Sequence, residues 1–165
     1  PEMKSTGEVM GFGKTFGEAY FKAQRAAGVI LPKEGNVFIS VRDHDKEPIC
    51  EVASELIDMG FKIYATSGTF NYLADAGVVC SKINKVKDGH PHIVDMIKNN
   101  EVHLIINTTE GARSIKDSFS IRKEAQNHKI SLTTTVSGAK AFCKAIKFID
   151  DFGAQDLKQR HESIS

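Results

Sequence analysis

The segment with the clearest chemical signature is Thr66-Ser67-Gly68-Thr69, which follows the apolar run Phe61–Ala65 at a point where a helix must begin. Backbone N–H groups in the first turn of a helix carry partial positive charge, and a glycine lets an anion come close to them. The hydroxyl groups of the two threonines add further donors. A second apolar run, His103–Ile106, ends in the same polar way at Asn107-Thr108-Thr109. Two such ends facing one crevice predict a nucleotide or small phosphate-ester site.

Polar residues at the other strand ends extend this set of donors. Ligands of an open parallel sheet bind outside the carboxyl ends of its strands, where the strand order reverses. The residues at these ends include two lysines, many hydroxyl groups and few acids, which suits an anion better than a metal ion. A single threonine at such a place is more typical of a helix cap. The joint pattern favours one site, and its members are Lys46, Thr66, Thr69, Lys85, Asn107 and Thr109.

Five strand-like apolar runs alternate with amphipathic stretches. This alternation predicts an α/β fold, a doubly wound three-layer sandwich around a five-stranded, mainly parallel sheet. The predicted strands are Asn36–Val41, Phe61–Thr66, Val78–Asn84, His103–Thr108 and Ile130–Thr135.

The stretches between these strands have helical spacing. Pro48 suits the first turn of a helix, the apolar residues Ile49, Val52, Ala53, Leu56 and Ile57 share one face of it, and Gly60 ends it. A short helix is predicted after Pro91, with Ile93, Met96 and Ile97 on one face, and another is predicted across Phe142, Ala145, Ile146 and Ile149.

The ends of the chain differ from this central region. Pro1 and the glycine-rich stretch after it are typical of a piece of a longer polypeptide, and a capping box at Thr15–Glu18 predicts a helix. We therefore predict the tail end of a preceding domain and a junction helix over residues 1–32, one domain over residues 33–150, and a polar tail over residues 151–165.

Composition excludes several classes of function. With 22 basic and 21 acidic residues the net charge is +1, too balanced for a broad nucleic-acid surface. No apolar run has membrane-spanning length and no signal peptide is present, so we expect a cytoplasmic protein. The three cysteines are isolated, which predicts buried thiols without a disulfide.

Two motifs resemble ligand sites but fail on inspection. Gly11-Phe12-Gly13-Lys14-Thr15 ends like a P-loop, but Glu8 stands where the first glycine is required. His90-Pro91-His92 supplies two imidazoles without a third ligand at a suitable spacing, so a turn leading into a helix is the preferred interpretation. No metal site is predicted.

The landmarks of the chain, taken in order, resemble the C-terminal regulatory domain of carbamoyl phosphate synthetase large chains, which has the methylglyoxal-synthase-like fold. The resemblance covers essentially the whole chain. It rests on Pro1–Gly11, which is similar to the end of the preceding ATP-grasp unit, and on four later segments: Ser40–Lys46, Ala65–Thr69, Asn84–Val86 and Ile105–Gly111.

The resemblance implies a regulatory nucleotide site for uridine monophosphate and, in some members, inosine monophosphate. Thr66, Thr69 and Lys85 would hold the phosphate, with Asn107 and Thr109 nearer the sugar and base. Lys46 and Gly68 complete the matching positions. Ornithine, a second effector in some members, would contact Thr134, although Leu132 and Thr133 replace the tyrosine and acid expected before it.

The resemblance also implies the parent reaction and its partners. That reaction is ATP-dependent formation of carbamoyl phosphate from bicarbonate and glutamine-derived ammonia, with Mg²⁺ or Mn²⁺. Its chemistry would lie in the remainder of the large chain and in a glutaminase small chain, within an oligomeric parent. The fragment itself is expected to be non-catalytic and to need no cofactor.

An alternative function is that of a methylglyoxal-synthase-type lyase acting on dihydroxyacetone phosphate. In such enzymes a catalytic aspartate follows two glycines after the third strand, and our alignment places His90 of Asp88-Gly89-His90 there. Without a carboxylate at that place a general base is missing, which disfavours the lyase. A third alternative, a domain that only mediates assembly, predicts no nucleotide binding.

Overall fold

Five strands form the centre of the computed structural model, which describes residues 34–108 and 112–148 together with residues 19, 22 and 32. For residues 87 and 112–117 it describes the backbone alone. The strands are β1 (Gly35–Ser40), β2 (Phe61–Ala65), β3 (Ser81–Lys82), β4 (Leu104–Asn107) and β5 (Ser131–Thr133). They lie in the order β3-β2-β1-β4-β5, and every pairing is parallel.

The strand order reverses at β1. The chain builds outward from β1 through β2 to β3 and then crosses back, so that β4 pairs with the other side of β1. Val37 of β1 lies opposite Ile63 on one side and Leu104 on the other. The loops that follow β1 and β4 therefore diverge and leave a crevice between them.

Helices cover both faces of this sheet. Within the described residues they are α1 (Lys46–Asp58), α2 (Ser67–Asp75), α3 (Ile93–Lys98), α4 (Ala112–Asn127) and α5 (Val136–Phe148), with short 3₁₀ turns at Asp43–Asp45 and Val86–Asp88. In this part of the chain none of the helices combines the length and the apolar character needed to cross a membrane.

Alternate residues of the central strand enter two separate cores. Val37 and Ile39 pack with the buried faces of α1 and α5, which include Ile49 and Phe142. Phe38 points the other way and belongs to the core formed with α3 and α4. Because the middle of β1 is buried on both faces, its sequence from Val37 to Ile39 is continuously apolar rather than alternating. The predicted doubly wound, three-layer α/β fold is confirmed.

The predicted strands are longer than the observed ones at the edges of the sheet. The run Val78–Asn84 contributes only Ser81 and Lys82 to β3, because this edge strand pairs on one side alone, with Tyr64 and Ala65 of β2. At the opposite edge β5 stops at Thr133, and Thr135 instead accepts a hydrogen bond from the N–H of Gly138 at 2.9 Å, at the start of α5.

The predicted helices are present where the structure describes them. Ile49, Val52, Ala53 and Leu56 are buried on α1, and Gly60 follows the end of that helix with φ at +102°. Helix α1 begins two residues before Pro48. The capping box at Thr15–Glu18 and Ile149 lie outside the described residues, and the domain boundaries stay predictions.

The three cysteines are free thiols, and Cys143 is buried while Cys50 and Cys80 are partly buried. Burial raises the pKa of Cys143 to about 12, with a smaller contribution from the negative charge of Glu55. This thiol is therefore protonated at neutral pH and behaves as a small apolar side chain between α1 and α5.

Candidate functional site

A cavity of about 310 Å³ opens at the carboxyl ends of β1, β2 and β4, in the crevice where the strand order reverses. The structure brings together at this cavity six of the seven residues predicted for the nucleotide site. These are Lys46, Thr66, Gly68, Thr69, Lys85 and Asn107. Thr109, the seventh, lies outside the described residues.

The first turn of α2 forms one wall of the cavity. Thr66 is the N-cap residue, and the first hydrogen bond of the helix is donated by the N–H of Phe70 to the carbonyl of Thr66 at 2.7 Å. The amides of Ser67, Gly68 and Thr69 precede that bond, and amides in this position have no carbonyl partner within their own helix. They supply the partial positive charge that an anion requires.

Lys46 lies against this helix terminus. A Cβ atom built on Gly68 would lie only 3.1 Å from the Nζ of Lys46, so the ammonium group occupies the space left by the missing side chain. An ammonium group beside the positive end of a helix is electrostatically unfavourable unless negative charge lies nearby. A bound anion would contact both groups and remove this repulsion.

Asp43 provides negative charge for Lys46 within the protein itself. The Nζ of Lys46 donates to Oδ1 of Asp43 at 2.5 Å. This hydrogen bond, together with the charge of Lys46 and a smaller effect of Lys85, holds the pKa of Asp43 below its usual value. The carboxylate is therefore ionised at neutral pH. The 3₁₀ turn over Asp43–Asp45 is what brings this carboxylate within reach of Lys46.

The threonine hydroxyl groups have structural partners. Oγ1 of Thr69 accepts the N–H of Val41 at 3.1 Å and donates to the Val41 carbonyl at 3.4 Å, and Oγ1 of Thr66 bonds to Oγ of Ser40 at 2.9 Å. The hydroxyl of Thr108 accepts the N–H of Arg42 at 2.9 Å. These bonds fix the end of β1 to α2 and β4. Because the single hydrogen of the Thr69 hydroxyl is used in this way, the amide of Thr69 is the donor that remains for a ligand.

Part of the cavity lining is apolar. Phe38, Val86, Ile93 and Ile121 line it. Beside them the side-chain amide of Asn107 donates to Oγ of Ser118 at 2.9 Å. The sequence did not indicate Ser118, because its position depends on how α4 crosses the sheet. A cavity lined by both cations and apolar groups is suited to a ligand that has both a phosphate and a ring.

A second cavity of about 320 Å³ adjoins the first and shares Arg42, Asn107, Thr108 and Ser118 with it. Thr134, the predicted ornithine contact, lines this second cavity together with Arg122. Thr134 is therefore near the predicted nucleotide site but does not line the cavity at the start of α2.

His90, the residue at the place of the lyase aspartate, is not among the residues that line either cavity. Its side chain is 77% exposed and directs Nδ1 to Oδ2 of Asp95 at 2.6 Å. His90 therefore does not lie where it could take a proton from a ligand bound near Lys46, and the carboxylate that does line this cavity, Asp43, accepts a hydrogen bond from Lys46.

Comparison with known proteins agrees with this architecture. A family model described as MGS-like domain matches residues 48–134, which include all but the first two residues of α1, all the strands after β1 and most of the residues that line the cavity. The chain belongs to the MGS-like domain family. The fold and the crevice at its switch point are thus those of an MGS-like domain.

The relatives that match over the full length of this chain are described as carbamoyl phosphate synthase large chains. The chain is 54% identical over 164 residues to the carbamoyl phosphate synthase large chain of Pseudomonas syringae pv. tomato and 48% identical to that of Xanthomonas campestris, covering 99% of this chain and 15% of each relative. It is 50% identical to the C-terminal section of the large chain from Aquifex aeolicus, covering all of this chain and 30% of that protein. The chain therefore spans about 15% of the length of most curated relatives named here. Among solved structures, ForH aligns at a TM-score of 0.49 with 17% identity, over 73% of this chain and 82% of its own.

Proposed function

We propose that the cavity at the start of α2 binds a nucleoside monophosphate, uridine monophosphate in the first instance and inosine monophosphate as a second candidate. The observation that carries the proposal is the position of Lys46 beside Gly68, where an ammonium group and the first amides of a helix converge. A phosphate dianion has the charge and the acceptor oxygens to satisfy both. Lys85, which lines the same cavity, supplies the second cation.

The apolar part of the cavity supports a nucleoside over a bare phosphate. Among its apolar lining residues Val86 is only partly buried, and Asn107 lines the same cavity. A ribose and base could pack against these groups while the phosphate contacts α2. We propose the same site as the place where an effector acts on a carbamoyl phosphate synthase, with the domain itself non-catalytic.

Regulation of this kind requires the effector to bind two states of the whole enzyme unequally. A coupling free energy of about 1–3 kcal/mol is typical and is sufficient. The synthase reaction, from bicarbonate, glutamine-derived ammonia and ATP with Mg²⁺, would take place in the remainder of the large chain and its glutaminase small chain.

Calorimetric titration with uridine, inosine and adenosine monophosphates tests the binding site. We expect Lys85→Met to weaken binding of the preferred nucleotide roughly tenfold to hundredfold, because a charge-assisted hydrogen bond contributes about 1.5–3 kcal/mol. Lys62→Met is the matched control, since Lys62 is an exposed lysine on β2 away from the cavity. Equal affinities for Lys85→Met and Lys62→Met would place the ligand elsewhere.

The regulatory role is tested in the intact synthase. With Lys85→Met in the full-length large chain, the ratio of carbamoyl phosphate formation with and without uridine monophosphate should approach one. An assay for methylglyoxal release from dihydroxyacetone phosphate separates the lyase alternative, and we expect no release. Clear release would contradict the regulatory assignment.

A further inference from the structure

Two histidines and an aspartate meet at the start of α3, outside the nucleotide cavity. Oδ2 of Asp95 lies 2.6 Å from Nδ1 of His90 and 3.7 Å from Nδ1 of His92. The two imidazole rings stack with their centroids 4.5 Å apart. One potential ligand atom from each of the three residues lies within 4.8 Å of the others.

Helix capping accounts for only part of this arrangement. Asp95 accepts the backbone N–H of His92 at 2.9 Å, which is the usual role of an acid in the first turn of a helix. It also accepts a hydrogen bond from His90 when Nδ1 of that ring carries the proton. The side chain of His92 completes the capping box by facing the backbone N–H of Asp95, without reaching hydrogen-bond geometry. His92 is 8% exposed, and its Nδ1 has no hydrogen-bond partner among the described atoms.

A buried polar atom without a partner destabilises the folded state. The nitrogen of His92 faces the same carboxylate oxygen that His90 contacts, at a distance too long for a hydrogen bond. A cation between the three groups would give this nitrogen a partner. The exposed ring of His90 leaves the other side of the cluster open to solvent, which provides a path of entry.

We propose that His90, His92 and Asp95 bind one divalent transition-metal ion of the Zn²⁺ class. Two imidazole nitrogens and one carboxylate are ligands that zinc, nickel, copper and iron accept, whereas calcium and magnesium prefer oxygen. Ligand atoms about 2.0–2.2 Å from a tetrahedral ion lie roughly 3.4 Å from one another. The His92–Asp95 separation is already near that value, and the exposed His90 ring can move outward to reach it. Water would complete the coordination.

The site would be structural for the loop that carries Lys85. The backbones of Asn84 and His92 pair as a parallel bridge, which closes the loop between them. An ion held by His90 and His92 at the end of this loop and by Asp95 on α3 would fix the loop to the helix. Ile93 and Lys85, on either side of that connection, both line the nucleotide cavity.

Zinc binding to the chelator-treated 165-residue chain, measured by calorimetry with ZnCl₂, tests the proposal. We expect one ion per chain, and we expect His90→Ala and Asp95→Asn each to weaken binding about tenfold or more, because even partners outside the coordination shell change metal affinity about 10–100-fold. Asp95→Asn retains an oxygen that can accept the His92 N–H, so it spares the helix cap. His128→Ala is the control, since His128 lies 3.8 Å from Glu124 in another His–carboxylate pair.

A second measurement distinguishes the loss of zinc binding from misfolding of a variant. The midpoint of thermal unfolding should rise with ZnCl₂ for the unmodified chain and for His128→Ala, but not for His90→Ala or Asp95→Asn, with folding of each variant checked by circular dichroism. The proposal is overturned if the unmodified chain takes up no zinc. It is equally overturned if both cluster variants bind as tightly as the control, which would assign the ion to the thiols or to other histidines.

Discussion

At the scale of single residues, the absence of one side chain determines the character of the nucleotide cavity. Gly68 lies in α2 with an ordinary helical conformation, so its backbone does not require glycine. The requirement is spatial, because a Cβ would lie 3.1 Å from the Lys46 ammonium group. A glycine at this position lowers the stability of the helix, but it leaves room for an anion to bind. A substitution of Gly68 should therefore change the free energy of unfolding and the affinity for an anion in opposite directions.

We expect Gly68→Ala to weaken binding of uridine monophosphate about tenfold or more, while the free energy of unfolding stays the same or rises by roughly 0.5–1 kcal/mol. The added methyl group would displace Lys46 and cover the first amides of α2. Calorimetric titration measures the first effect and urea unfolding the second.

Asn71→Ala is the control for this substitution, because Asn71 is exposed on the same helix and does not line the cavity. It should favour the helix without changing nucleotide affinity. If Gly68→Ala bound as tightly as Asn71→Ala, an anion at the start of α2 would be ruled out.

At the scale of elements, the sequence predicts the positions of strands and helices, because these follow from the spacing of apolar residues. It does not predict contacts between elements, because these depend on how the elements pack across one another. The unbroken apolar run around Val37 and Phe38 predicts a central strand, since both of its faces are covered. The position of Thr69 at a helix start is equally local. Its hydroxyl, however, is bonded to the backbone of Val41, and that contact exists only because α2 packs beside the end of β1.

The sequence failed to indicate Ser118 and the role of Asp95 for the same physical reason. Ser118 reaches Asn107 because α4 lies over β4, and no sequence period contains that distance. The spacing of His90 and His92 gave two potential ligands, but Asp95 joins them only when the turn brings the start of α3 back toward the loop.

Strand β5 contains a testable defect in hydrogen bonding. Ser131 is 1% exposed, and its Oγ has no partner among the described atoms. We expect Ser131→Ala to raise the free energy of unfolding by about 1 kcal/mol, because it removes an unsatisfied buried hydroxyl. Urea unfolding monitored by circular dichroism measures this change.

Ser40→Ala should act in the opposite direction and serves as the comparison. Its Oγ bonds to Thr66 at 2.9 Å, so its removal should cost about 1 kcal/mol. A loss of stability for Ser131→Ala as large as that for Ser40→Ala would mean that the Ser131 hydroxyl has a partner in solution.

At the scale of the whole molecule, the nucleotide cavity is where separate parts of the fold meet. Its walls come from β1, from α1 through Lys46, from α2, from the loop that carries Lys85, and from α4 through Ser118. Each of these elements contributes to at least one of the two cores on either side of the sheet, so a ligand that contacts all of them should stabilise the whole domain against unfolding. Binding to the native state alone stabilises a protein in proportion to the logarithm of ligand concentration.

At a uridine monophosphate concentration about 100 times its dissociation constant, the domain should gain about 2.7 kcal/mol of stability. For a domain of this size that gain corresponds to a rise of about 5–10 °C in the midpoint of thermal unfolding. Uridine at the same concentration should give a much smaller rise, because it lacks the dianion that joins Lys46, Lys85 and the start of α2. The same nucleotide concentration should stabilise Lys85→Met far less than Lys62→Met. Equal shifts with uridine and its monophosphate would show that the ring rather than the phosphate drives binding, and the electrostatic account of the cavity would then be wrong.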